Sequence, residues 1–128
     1  MIRAVLDANT LVSGFAGARD PQSTPGQLMR LWRAGKFQLI VSEHLRTEVI
    51  HTFQEPYFRR HLSLAQSSRA AALLLYKASQ TPITVEVHGI ATHPEDDQIL
   101  ATAVSAKVPI LVSGDKKLQK LGSFQGVT

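Results

Sequence analysis

The sequence contains no cysteine and no long apolar run. Without cysteine, neither a disulfide framework nor a thiolate zinc site can form, and the expected compartment is the cytoplasm. No stretch approaches the ~20 apolar residues of a membrane span. The N-terminus also lacks the apolar core and cleavage site of a signal peptide. These absences predict a cytoplasmic protein without a membrane partner.

A modest basic excess favours a polyanionic partner. The 14 Lys and Arg residues outnumber the 10 Asp and Glu residues, which leaves a net charge of +4. Nucleic acid is the first candidate for such a partner, although simple solubility accounts for the excess equally well. The basic side chains cluster early and late in the chain, at Arg19, Arg30, Arg33, Lys36, Lys116, Lys117 and Lys120. They form either an RNA-binding surface or solvated charged faces.

Apolar runs of strand length alternate with amphipathic segments of helix length. Strands are predicted at residues 2–6, 37–41, 83–87 and 110–112. Helices are predicted from a Thr24 cap to Gly35, from a Ser42 cap to Pro56, over 63–79, from Asp96 to Ala106 and from Asp115 to Leu121. A short helical piece is expected at 57–62, with loops at 13–24 and 89–95.

This alternation indicates βαβ units and a mostly parallel sheet. At 128 residues, the chain is expected to form one domain over 1–128. The tail, residues 124–128, resembles the start of a further strand, so two alternatives stay open: the domain lacks its last C-terminal strand, or it ends naturally at this point.

Acidic residues stand where predicted strands end and predicted helices begin. Asp7 ends the first strand, Asp115 follows the last one, and Asp96 and Asp97 lie in the first turn of a helix. Because ligands of open α/β sheets bind at the carboxyl ends of the strands, these four carboxylates are expected at one sheet edge. Glu48 lies mid-helix and borders the buried stripe, so it is expected to join them.

Converging carboxylates call for a cation. Two like charges ~4 Å apart repel by about 1 kcal/mol in water and about 4 kcal/mol at an effective dielectric constant near 20. All-oxygen ligands suit Mg²⁺ or Mn²⁺. A metal ion held in this way activates water and stabilises an in-line phosphoryl displacement. The acids therefore predict phosphodiester hydrolysis.

Three stretches resemble the successive motifs of the PIN-domain family, which includes the VapC-type toxins of bacterial toxin–antitoxin pairs. They are VLDANTLVSG (5–14), FQLIVSEHLRTEV (37–49) and HPEDDQILATAVSAKVPILVSGDKKL (93–118). The resemblance covers nearly the whole chain, in order. It implies a three-layer α/β/α sandwich and a metal-dependent ribonuclease that prefers single-stranded RNA.

The resemblance also assigns roles to the acids. It makes Asp7 the first metal ligand and Glu48 the acid of the second motif. Asp96 matches the acid of the third motif, with Asp97 as the competing assignment, and Asp115 matches the fourth. All five are candidate catalytic residues, and all except Glu48 are candidate ligands of Mg²⁺ or Mn²⁺.

Polar neighbours and partners follow from the same resemblance. Asn9, Thr10 and Ser113 match positions that orient the first and last acids or a metal-bound water. His93 departs from the family pattern, because relatives often carry an acid there. In toxin–antitoxin systems, the antitoxin typically inserts a segment into the acidic site. The expected partners are therefore an RNA substrate, an antitoxin protein and a second copy of the chain.

Other interpretations remain open at the level of sequence. Asp7, Asp96, Asp97 and Asp115 are all placed where an acid caps a turn or a helix, and Glu48 is placed where a solvated helix residue is common. A second hypothesis is a PIN-like RNA-binding or protein-interaction module without turnover. A third is a small-molecule phosphatase, which commonly has a second Asp two residues after the first; here that position is Asn9.

Overall fold

A parallel sheet forms the centre of the protein. The computed structural model describes residues 1–16 and 23–128. In these residues the strands are β1 (Arg3–Leu6), β2 (Gln38–Val41), β3 (Ser79–Gln80) and β4 (Ile110–Val112), in the spatial order β3-β2-β1-β4. β1 pairs in parallel with both neighbours, with Ala4 opposite Leu39 and Val5 opposite Leu111. The central strands are nearly continuous apolar runs, as expected for a sheet covered on both faces.

Helices flank this sheet. Within the described ranges they are α1 (Ala8–Ala16), α2 (Thr24–Arg33), α3 (Glu43–Phe53), α4 (Pro56–His61), α5 (Leu64–Tyr76), α6 (Pro94–Ser105) and α7 (Lys116–Leu121). The chain proceeds from β1 through β2 to β3 and then returns past β1 to β4. Right-handed crossovers therefore place connecting helices on both faces of the sheet. The predicted α/β/α fold with a mostly parallel sheet is confirmed.

The main error among the helices concerns the stretch after Asp7. The sequence predicts a loop over 13–24, but α1 begins directly after Asp7 and continues to Ala16. Its apolar residues Leu11 and Val12 are fully buried, so packing stabilises a helix there. The remainder of the expected loop, residues 17–22, lies outside the described residues.

Smaller corrections concern helix ends. Ser23 caps α2 in place of Thr24, because its hydroxyl accepts the Gly26 N–H at 3.1 Å. Pro56 begins α4 and does not end α3. Proline suits the first position of a helix because the N–H groups there have no partner within the helix, and proline has no N–H. α6 begins two residues earlier than predicted, at Pro94, and α5 ends three residues earlier, at residue 76.

The predicted strand over 83–87 is also wrong. The edge of β2 is taken by Ser79 and Gln80, which pair with residues 40 and 41. The segment 83–87 keeps an alternating pattern, with Val87 buried and Glu86 exposed, but no described strand pairs with it. Its Thr84 N–H donates instead to a side chain, the Ser105 hydroxyl, at 2.9 Å. Side-chain packing rather than a ladder holds this segment.

The C-terminal tail touches the outer edge of β4 at one residue. The Thr128 N–H donates to the Pro109 carbonyl at 2.7 Å, and the Leu111 N–H donates to the Thr128 carbonyl at 3.0 Å. This is the bonding pattern of a parallel strand. The preceding residues form a tight turn in which Phe124 and Val127 bridge each other. The structure describes no helix that is both long and apolar enough to cross a membrane.

Candidate active site

Asp7 lies at the point where the strand order reverses. β1 leads to β2 on one side, while β4 lies on the other side, so a crevice opens at the carboxyl ends of β1 and β4. The Asp7 side chain is 5% exposed. Its Oδ1 accepts the Thr10 N–H at 2.8 Å, and its Oδ2 accepts the Ser113 hydroxyl at 2.9 Å and the Gly114 N–H at 3.1 Å. Three donors thus hold this buried carboxylate in a single orientation.

Asp115 approaches the same crevice from the end of β4. It caps α7 by accepting the N–H groups of Lys117 and Leu118 on Oδ1, at 2.8 and 3.2 Å. Thr92 donates its N–H to Oδ2 at 2.9 Å and its hydroxyl to Oδ1 at 3.1 Å. Burial alone would raise the pKa of Asp115, but these hydrogen bonds favour the charged form and leave that pKa lowered.

Asp96 is the acid that the other two repel. Burial, followed by the negative charges of Asp115 and Asp7, raises the pKa of Asp96 to about 6, against the smaller opposing effect of His93. Three carboxylates from three separate segments of the chain therefore interact at one edge of the sheet.

Asp97 has different surroundings. Its carboxylate is 5% exposed and accepts three successive backbone N–H groups. Gly89 donates to Oδ2 at 3.0 Å, and Ile90 and Ala91 donate to Oδ1 at 3.1 and 2.7 Å. The side chain of Asp97 is thus directed at the loop that precedes α6. The structure brings Asp96, rather than Asp97, to Asp7 and Asp115.

Within residues 1–16 and 23–128, neither Glu48 nor Asn9 forms a side-chain hydrogen bond or an ion pair with these acids. Glu48 is half-buried on α3 and Asn9 is exposed. The start of α3 is tied to α6 by a buried hydrogen bond of 2.8 Å between the hydroxyls of Ser42 and Thr102. Of the polar neighbours expected around Asp7, Ser113 contacts it through its side chain and Thr10 through its backbone N–H.

Sequence reasoning missed Thr92 and Gly114 as partners of the acids. Both lie in short polar loops, where no periodicity distinguishes a functional residue from a turn residue. The only available signal for Thr92 was its position immediately before the acidic start of α6.

The donor set suits a hard divalent ion that keeps several waters. No group of three or more His, Asp or Glu side chains in residues 1–16 and 23–128 is close enough to enclose a metal ion. Mg²⁺, however, usually takes only one or two carboxylates directly. A carboxylate can accept about four hydrogen bonds. Asp115 already accepts four, whereas Asp7 accepts three and can therefore accept one further partner. Asp96 and Asp7 therefore fit as direct ligands, and Asp115 fits as a neighbouring negative charge.

These features define a class: an α/β/α sandwich with an acidic centre at the switch point of a parallel sheet. The sequence profile of the PIN domain matches residues 3–117. The chain belongs to the PIN-domain family. A search among curated proteins finds no match.

Two solved structures share the fold. VapC20 of Mycobacterium tuberculosis, described as a toxin that cleaves the sarcin–ricin loop, is 13% identical with a TM-score of 0.65, and the match covers 95% of this chain and 97% of that one. VapBC2 of Rickettsia felis, solved with a DNA fragment from its promoter, is 14% identical with a TM-score of 0.60, covering 93% of this chain and 92% of that one.

Proposed function

We propose that this protein is a Mg²⁺- or Mn²⁺-dependent endoribonuclease that cleaves single-stranded RNA. The observation that carries the proposal is the meeting of Asp7, Asp96 and Asp115 at the switch point. Burial, followed by the negative charges of Asp115 and Asp7, raises the pKa of Asp96, and a bound cation would offset that repulsion. Membership of the PIN-domain family supports the same activity.

Each acid of this centre has its own proposed role. Asp96 and the free acceptor site of Asp7 would hold the metal ion. Once bound, the ion supplies an activated water and stabilises charge on the phosphate. Asp115, held by its four donors, adds a fixed negative charge beside Asp96. We further propose that Glu48 reaches this centre from α3 and supports the positioning of water.

Basic side chains beside the acids would hold the RNA backbone. Lys116, Lys117 and Lys120 directly follow Asp115 in α7 and are exposed. Among the described residues, none of these lysines forms an ion pair. They are therefore available to neutralise phosphates on either side of the cut. Arg19, which belongs to the early basic cluster, lies outside the described residues.

We also propose that the protein is the toxin of a toxin–antitoxin pair and acts in the cytoplasm as a homodimer. The two similar structures, a VapC toxin and a VapBC complex, support this role. The exposed apolar side chains of Leu64, Leu75 and Tyr76 on α5 favour an interface with another protein chain. Co-expression with the product of the adjacent gene, followed by co-purification, tests the antitoxin partner.

Cleavage that depends on both metal and Asp7 tests the nuclease proposal. The full chain is incubated with single-stranded RNA and Mn²⁺, with and without a chelator. The expected result is cleavage that the chelator abolishes and that Asp7→Asn removes. Cleavage that persists with the chelator, or that Asp7→Asn leaves at full rate, contradicts the proposal. Glu55→Gln, which removes one negative charge at an exposed position, is a matched surface control.

A second candidate is a PIN-like RNA-binding module without turnover. His93, where relatives often carry an acid, and the absence of a three-ligand cluster in the described part of the chain favour it. This candidate predicts RNA binding that weakens steeply with salt and no cleavage with any divalent metal. The cleavage assay above separates the two candidates.

A further inference from the structure

The loop before α6 connects two of the acids through hydrogen bonds. At its beginning, Gly89, Ile90 and Ala91 all donate their N–H groups to Asp97. Gly89 has a φ of +69°, a left-handed conformation that favours glycine. Successive N–H groups that converge on one carboxylate fix the path of the backbone. The loop is thereby anchored to the first turn of α6.

At its end, the same loop holds Asp115. Thr92 donates both its N–H and its hydroxyl to this carboxylate, at 2.9 and 3.1 Å. Asp115 in turn interacts with Asp96, which neighbours Asp97 on α6. The hydrogen bonds therefore run from α6 to Asp115: α6 holds the loop through Asp97, and the loop holds Asp115, whose negative charge acts on Asp96.

We infer that Thr92 is a positioning residue of the acidic centre and that Asp97 is the anchor of the loop that carries it. In this arrangement, Asp97 does not ligate the metal ion. The two Thr92 bonds keep the Asp115 carboxylate aimed at Asp96, so that the metal ion meets a preformed arrangement of charge. This inference rests on the proposed function, because it assigns Thr92 a role toward the same metal ion.

Direct metal binding tests Thr92. Binding of Mn²⁺ to the purified full chain is measured by electron paramagnetic resonance for the wild type, Thr92→Val, Thr92→Ser and the control Thr84→Val. Loss of a partner that orients a metal ligand typically costs tenfold to a hundredfold in metal affinity. Because Thr92 orients Asp115, a charge beside the ligand Asp96 rather than a ligand itself, we expect Thr92→Val to bind Mn²⁺ about tenfold more weakly, at the lower end of this range. Thr92→Ser, which keeps the hydroxyl, restores the affinity, and Thr84→Val binds as the wild type does.

Steady-state cleavage of RNA gives a second readout. A positioning role predicts that Thr92→Val lowers kcat at saturating RNA and leaves KM for RNA unchanged. Thr92 is exposed, so the substitution leaves the fold intact, which thermal unfolding verifies. Equal Mn²⁺ affinity in Thr92→Val and the wild type, or an equal defect in Thr92→Ser, overturns the inference.

Hydrogen exchange tests the anchor. Asp97→Asn is compared with Glu95→Gln, which removes one negative charge from the same turn at an exposed position. We expect faster amide exchange at Gly89, Ile90, Ala91 and Thr92 in Asp97→Asn only. Unchanged exchange at these amides overturns the role of Asp97. The Thr92 variants keep the inference testable if Asp97→Asn fails to fold.

These readouts separate the inference from the proposed function. If the wild type cleaves RNA and Thr92→Val does not change Mn²⁺ binding, the inference is refuted and the proposed function stands. If the wild type does not cleave RNA and Thr92→Val weakens Mn²⁺ binding, the proposed function is refuted and the inference stands. A wild-type chain that binds no Mn²⁺ removes both.

Discussion

Asp96 and Asp97 are neighbours in the chain, yet their carboxylates have opposite surroundings. Asp96 is repelled by two other acids, and burial and this repulsion raise its pKa to about 6. Asp97 is buried and accepts three backbone N–H groups. Removal of the charge at Asp96 therefore relieves repulsion, whereas removal of the carboxylate at Asp97 leaves three N–H groups without their acceptor.

Removal of the charge at Asp96 stabilises the metal-free protein. The pKa of Asp96 is raised from 3.8 to about 6 on folding, so the folded state binds its proton more tightly. The stabilisation from this group is complete below pH 3.8 and is lost as the pH rises through about 6. Chelator-treated Asp96→Asn should unfold at a higher temperature than the wild type at pH 7, with the difference shrinking toward pH 4. A constant difference across this range contradicts the prediction.

Removal of the side chain at Asp97 has the opposite effect. Asp97→Ala leaves three backbone N–H groups without their acceptor, and the one at Ala91 is buried. The expected cost is about 1–3 kcal/mol in the free energy of unfolding. Urea unfolding monitored by circular dichroism measures this loss. Glu95→Ala, from the same turn, is the control and should change stability little. A stability of Asp97→Ala equal to that of the wild type would refute the anchoring role.

The hydrogen bond between the buried hydroxyls of Ser42 and Thr102, which joins the start of α3 to α6, gives a further prediction. Ser42 both caps α3, through the Leu45 N–H at 3.2 Å, and contacts Thr102 at 2.8 Å. Thr102→Val removes the second bond together with the bond that the Thr102 hydroxyl donates to the Gln98 carbonyl at 2.9 Å, and should cost about 1–2 kcal/mol. Ser42→Ala removes the second bond together with the cap of α3 and should cost a similar amount. A double-mutant cycle with unfolding measurements should give a non-additive pair, and full additivity would exclude coupling between the two helices.

The close approach of α1 and α2 depends on Gly14. A Cβ atom there would overlap the Met29 side chain and lie 2.9 Å from the Pro25 carbonyl oxygen. Gly14→Ala should therefore destabilise the fold by about 1–3 kcal/mol, as overpacking does. Thermal unfolding of Gly14→Ala with and without Met29→Ala checks the cause, since the smaller side chain should recover part of the loss. A more stable Gly14→Ala protein would contradict the predicted clash.

Sequence reasoning succeeded where one local rule decided the outcome. The apolar runs of β1 and β2 are largely buried strands, the run of β4 is a partly exposed strand, and Ser42 caps α3 as its position predicts. The meeting of Asp7 and Asp115 followed from one fact about parallel sheets, namely that the carboxyl ends of the strands share an edge. No contact had to be known in advance.

Sequence reasoning failed where packing between distant segments of the chain decided the outcome. Neighbouring residues of a helix point about 100° apart, so the directions of Asp96 and Asp97 depend on which other segments pack beside α6. Residues 83–87 have the alternation of a strand, but Ser79 and Gln80 already pair with β2. The role of Thr92 depends on Asp115, 23 positions later, so the residues next to Thr92 in the sequence do not predict that role.

The hydrogen bond from Ser113 to Asp7 spans 106 positions of the chain. During synthesis, Asp7 is made 106 and 107 residues before two of its three donors, Ser113 and Gly114. A nascent or prematurely terminated chain that ends before Ser113 therefore holds Asp7 through Thr10 alone. Asp115 comes later still, so the three acids cannot meet until the chain has been made beyond that residue.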